Sequence, residues 1–212
     1  MSLLCSFLLS GCATEQNVPL ADNFWHEPKQ KIAVATVKPP QPTLYKTGAQ
    51  GLLDVAISSA VTNKFDHCLK TTDLAWYNEI KANFVQQLKQ KHMSATYCSD
   101  CIDEQKDYST FAVQNGSDKV LVVKLLALGA IRPYYGFIPL GPPKTYCVLH
   151  GELINTQTHQ TLWRYQVDVS QPVNGDWDQP PDYPNFTQAL KVTIDTAQQQ
   201  LLDNFFARPQ QT

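Results

Sequence analysis

The run Asn115–Ala130, NGSDKVLVVKLLALGA, decides how this chain folds. Asn115-Gly116 suits the left-handed position that closes a helix, so the preceding Tyr108–Gln114 reads as a short helix. From Lys119 the residues are almost all aliphatic, interrupted only by Lys124 and Gly129. Such a run between turn signals predicts a strand over Lys119–Ala130, covered on both faces and central to a sheet. Extended to Ile131, the run is still well short of the roughly 20 apolar residues that a transmembrane helix requires.

The elements on either side supply the layers. Lys31–Val37 alternates and is β-branched, a strand stopped by Pro39, Pro40 and Pro42. After Thr47-Gly48, the residues Leu52, Leu53, Val55, Ala56, Ile57, Ala60, Val61 and Phe65 recur near helical spacing and predict a helix over Gln50–Lys64. Asp73 can cap a second helix ending near Gln90, with Leu74, Tyr77, Ile80, Phe84 and Leu88 on one face. Met93–Cys98 predicts a returning strand. Thr145–Asn155 and Thr161–Ser170 predict a hairpin around Thr156–Gln160, with Trp163, Tyr165, Val167 and Val169 facing one way. Asn185 can cap a last helix carrying the stripe Phe186, Leu190, Ile194, Ala197, Leu201 and Phe205. The order β-α-α-β-α-β-β-β-α predicts an α+β two-layer sandwich: a mixed, mostly antiparallel sheet with helices on one face.

Length and charge narrow the class. The 212 residues suit one domain with short tails, with 43% hydrophobic and 17% charged residues and a formal charge of -2. Without a basic stripe, nucleic acid is excluded as a partner. At the N-terminus, the apolar run Leu3–Leu9 ends in Leu9-Ser10-Gly11-Cys12. This resembles the lipobox of bacterial lipoproteins, which implies removal of residues 1–11 as a signal peptide and acylation of Cys12 by palmitate-type chains. Several chains on one residue anchor permanently, at roughly 0.8 kcal/mol per buried methylene. The segment departs from such signals in having no Lys or Arg. Ala13 stands where these families carry Asp for inner-membrane retention, which implies outer-membrane lipid as the anchor and a periplasmic domain. Residues 13–30, with Pro19 and Pro28, read as a tether. The expected organisation is a lipidated tether over 12–30, a domain over 31–207 and a tail over 208–212.

The element order and the junction from Asn115-Gly116-Ser117-Asp118 into Lys119–Val123 resemble the TolB N-terminal-like domain of small outer-membrane lipoproteins, YajG-like ones included. The resemblance spans residues 31–170 and implies architecture rather than activity. In lipobox, size and inferred fold, the chain is also similar to accessory lipoproteins of the Dot/Icm type IV secretion outer-membrane core.

With Cys5 in the signal and Cys12 assigned to lipid, Cys68, Cys98, Cys101 and Cys147 form an even set in a compartment that favours disulfides. Three connectivities are open, and a bridge from Cys68 to Cys98 or Cys101 fits the returning strand. Cys98-Ser-Asp-Cys101 also raises a thiol-disulfide factor, but acidic neighbours disfavour a thiolate there. Zinc at these cysteines with His67 or His150 lacks a second Cx₂C half. His67, His92, His150 and His159 belong to no catalytic motif, and no nucleophile elbow, phosphate loop or His-Glu-x-x-His occurs. The expectation is a protein that is not an enzyme and takes no cofactor or metal.

The unusual segment is Arg132–Lys144, RPYYGFIPLGPPK, an apolar connection between two strands. Tyr134, Tyr135, Phe137, Ile138 and Leu140 either fold over the sheet or form an interface core. Phe24 and Trp25 either pack on the domain or hook a partner. Binding to envelope proteins, as a structural or assembly subunit, is the leading expectation. A glycan- or lipid-binding module lined by Trp163, Tyr165 or Trp177 is the alternative.

Overall fold

A computed structural model describes residues 16–27, 30–49, 51–97, 108–177, 179 and 181–207. Cys12, Cys98 and Cys101 lie outside the described residues. The elements are β1 (Lys31–Thr36), β2 (Thr43–Ala49), α1 (Leu52–Lys70), α2 (Ala75–Gln90), β3 (Ser94–Tyr97), α3 (Tyr108–Gln114), β4 (Lys119–Tyr135), β5 (Ile138–Pro139), β6 (Lys144–Asn155), β7 (Thr161–Pro172) and α4 (Pro184–Phe206). The fold is α+β, a mixed open sheet with its main helices on one side. Strands run in the order β3-β1-β4-β6-β7, and β2 follows β1 along the same edge of β4. Pairings of β1 with β3, β1 with β4 and β2 with β4 are parallel, whereas those through β5, β6 and β7 are antiparallel.

The central strand is longer than its apolar run suggests. β4 continues through Arg132-Pro133-Tyr134-Tyr135 because β2 pairs it from Gly129 to Tyr135. Pro39, Pro40 and Pro42 interrupt the neighbouring edge, since proline has no N–H for the ladder. Pairing resumes where Gly129 takes a φ of 146°; a Cβ there would stand 2.0 Å from the Thr43 carbonyl oxygen. β2 was not legible as a strand because Thr47-Gly48 reads locally as a turn.

Ile32, Val34, Leu121, Val123, Leu149 and Leu153 point from the sheet into one core with α2 and α4. The α4 stripe from Phe186 to Phe205 is buried there. At Gly151 a Cβ would come within 2.6 Å of Trp163, so glycine lets that indole lie flat on the strand. The opposite sheet face, with Ala33, Ala35, Val120 and Val122, is covered by Phe111 and Ala112 of α3. The short helix is thus the exception to the one-sided arrangement. Gly116 takes a φ of 60°, and the Ser117 N–H donates to the Ala112 carbonyl at 2.9 Å, closing α3 as expected. α4 begins differently: Tyr183 is left-handed, Pro184 opens the helix, and Asn185 donates its amide to the Asp176 carbonyl instead of capping.

The segment expected as a tether is packed onto the body from residue 16. Val18 and Arg164 exchange two backbone hydrogen bonds of 2.9 Å at the outer edge of β7. Leu20 and Phe24 enter the core, and Trp25 lies against Phe205 and Phe206 with the Lys91 ammonium over its ring. Phe24 and Trp25 are therefore packing residues, held by apolar burial, and the folded unit begins before residue 31.

Candidate partner-binding surface

The β4–β6 connection has an apolar tip above a root held by Arg132. At the root, the Arg132 guanidinium stacks 4.1 Å above the Trp177 ring and donates from Nε to the Gly141 carbonyl at 3.3 Å. A planar cation over an indole face is a favourable arrangement. Tyr134 points inward and is 3% exposed, so the expectation that it meets a partner is corrected: strand alternation puts it under the sheet. Its neighbour Tyr135 points out and is 70% exposed. Phe137 and Ile138 are more than half exposed, and Leu140 is 60% exposed. The Leu140 N–H donates to the Pro133 carbonyl at 2.9 Å, so the tip is a defined turn.

The start of α1 adjoins this tip. The Gly136 N–H donates to Ala49 at 2.9 Å, and a side chain at Gly136 would meet the Asp54 carboxylate at 3.5 Å. Asp54 in turn accepts the Gly51 N–H at 2.9 Å. Here Leu52 is 94% and Leu53 73% exposed, with Val55 and Ile57 also open to solvent. The spacing of residues 52–65 predicted a helix; among its described side chains, the far end, at Phe65, joins the main core. Apolar residues surround the first half of α1, and one helix cannot turn all its sides to a sheet. The sequence reading passed over this half of the surface. Its available signal was that Leu52, Leu53, Val55, Ala56, Ile57, Ala60 and Val61 spread around more of the helix than the single stripe that one buried face needs.

A cleft of about 950 Å³ lies at the other end of α1, between that helix, the α1–α2 turn and α4. Phe186, Leu190, Ile194 and Trp76 line it with Cys68, while Asp73, Asp182, Lys191 and Asp195 stand at its polar positions. Burial, then the Asp182 carboxylate, pushes the Cys68 thiol up from its ordinary value. Cys147 is enclosed between Leu128 and Val169 on the core face, and burial followed by Asp168 pushes its thiol up to about 12. Among the described residues both are free thiols, so Cys68 and Cys147 are not bridged to each other, and their other expected partners, Cys98 and Cys101, lie outside the described residues.

The remaining candidates do not converge. Trp163 is wholly buried and donates to Asn204 at 3.0 Å, Trp177 is covered by Arg132 and Phe65, and Tyr165 is half-buried; none lines the cleft. His92 and His159 occupy exposed left-handed turn positions, His67 is at the cleft, and His150 is buried in β6. Among the described residues, no group of three His, Cys, Asp or Glu side chains could hold a metal ion. No helix there is long and apolar enough to cross a membrane.

The fold and surface thus define a two-layer α+β domain with an exposed apolar end. No protein-family model and no curated protein sequence matches the chain. Among solved structures it is similar to a PelC dodecamer from Paraburkholderia phytofirmans (12% identity, covering 92% of this chain and 96% of that chain, TM-score 0.43). It is similar to the hypothetical protein CT253 from Chlamydia trachomatis (8% identity, 82% and 94%, TM-score 0.42). It is also similar to lipoprotein GNA1162 from Neisseria meningitidis (13% identity, 82% and 99%, TM-score 0.32).

Proposed function

We propose that this chain is an outer-membrane lipoprotein, held by acylated Cys12, whose periplasmic domain is an assembly subunit of an envelope complex. It acts by binding and not by turnover. The observation that carries this reading is the joint exposure of Leu52, Leu53, Tyr135, Phe137 and Leu140 at one end of the domain. Exposed apolar groups cost roughly 25 cal/mol per Å² relative to burial, and contiguous patches mark interaction sites. A protein partner fits better than a small ligand because none of these exposed residues lines the cleft and the tip is held by backbone hydrogen bonds. The lipobox supports the compartment, and the TolB-like order of elements supports kinship with small envelope lipoproteins. The particular assignment within this reading is an accessory lipoprotein of a secretion core of the Dot/Icm kind, from similarity in lipobox, size and inferred fold.

Photo-crosslinking in intact cells tests the reading. A crosslinker at Phe137 or Leu53 is expected to capture an envelope protein, whereas one at Thr158, in the distant β6–β7 turn, is not. Equal capture from all three positions, or none from Phe137 and Leu53, overturns it. Cys12→Ser is expected to release the domain from the membrane fraction on centrifugation; retention there refutes the anchor.

A further inference from the structure

We propose that the cleft between α1 and α4 is a second binding site, taking an extended polypeptide segment with apolar side chains next to Lys or Arg. Three features select that ligand. The floor of Phe186, Leu190 and Ile194 is apolar, and the volume of about 950 Å³ is of the size that encloses several side chains. The lining carries Asp73, Asp182 and Asp195 against Lys191, and Lys191 is already paired with Asp195 at 2.6 Å. An anionic ligand such as a fatty acid meets net negative charge, while a cationic side chain finds a partner at Asp182. Trp76 lines the cleft, and its Nε1 is buried without an acceptor among the described residues. Buried donors are ordinarily paired, so a small rotation of the indole toward the cleft would let a peptide carbonyl serve as the acceptor it lacks. A peptide brings carbonyl, cation and apolar side chain together, where a simple cationic amphiphile brings only the last two.

The site does not rest on the role of the apolar end. Asn63, at the cleft, is eleven residues from Leu52, so about 16 Å of helix separates the two at 1.5 Å per residue. The cleft also contains its own reporter, since Cys68 lines it while Cys147 is enclosed in the core.

The test uses the full lipidated chain in phosphatidylcholine nanodiscs and an acetylated octapeptide of alternating Leu and Lys, with a Leu–Glu octapeptide as control. Maleimide modification of Cys68 is followed by mass spectrometry. The Leu–Lys peptide is expected to slow modification at least fivefold, and the Leu–Glu peptide to leave it unchanged. Asp182→Lys should abolish the protection without lowering the melting temperature; if that variant fails to fold, Asp182→Asn should weaken it severalfold. Thr187→Trp, at the exposed rim, should block peptide binding by filling the entrance. Protection by neither peptide, or equally by both, overturns the proposal, and equal protection would mark an apolar site that does not read charge.

Discussion

Tyr77 shows how one hydroxyl completes the central strand. Between the end of β1 pairing at Val123 and the start of β2 pairing at Gly129, that edge of β4 has no neighbouring strand. The wholly buried Tyr77 donates to the Val123 carbonyl at 2.9 Å and accepts the Leu125 N–H at 3.0 Å. Tyr77→Phe keeps the ring and orphans a buried N–H, so it is expected to lower unfolding free energy by about 1–3 kcal/mol in denaturant titration. Glu152 is a second such residue. Burial would raise its carboxyl, but hydrogen bonds from Thr161 and Arg164, with the charges of Arg164 and His150, hold it below its ordinary value. A carboxyl whose folded pKa is depressed stabilises the fold above its unfolded pKa, and that contribution disappears as pH falls through the folded pKa. Glu152→Gln is therefore expected to flatten the fall in stability below about pH 4, where an unperturbed Glu titrates. Unfolding curves across that range check it.

At the scale of elements, α1 divides into two halves with different tasks. Its C-terminal half contributes Phe65 and Leu69 to the core, and Phe65 packs on Phe186 with centroids 4.6 Å apart. Its N-terminal half turns Leu52 and Leu53 to solvent beside the β4–β6 tip. The double substitution Leu52→Glu with Leu53→Glu is expected to leave thermal stability within about 0.5 kcal/mol, since surface changes usually do. Acidic groups in a first helical turn are themselves favourable. The same variant is expected to reduce crosslinking from Phe137, and unchanged capture would separate α1 from the interface. The segment 16–27 is the opposite case, half polar in composition yet integral to the fold. Phe24 meets Phe205 with centroids 6.4 Å apart, so Phe24→Ala is expected to cost about 3–5 kcal/mol in denaturant unfolding. A free tether would show no change.

The whole molecule joins a buried sheet to two surfaces at opposite ends of α1, the apolar tip and the acidic-rimmed cleft. Periodicity alone determined the α+β class, α2, the β6–β7 hairpin, the buried stripe of α4 and the α3 cap at Gly116, because each depends on neighbours within a few residues. The apolar loop Arg132–Lys144 was conspicuous for the same reason. Only the tertiary structure decided that Thr43–Ala49 is a strand, because its hydrogen-bond partners lie on β4, far along the chain. Likewise, Phe24 and Tyr134 are core residues, whereas Leu52 and Leu53 face solvent. All four are apolar, and what separates them is the surface that each element finds opposite it, a long-range property that composition and spacing do not encode. The cleft belongs to the same category, since α1, the α1–α2 turn and α4 meet there from distant stretches of sequence.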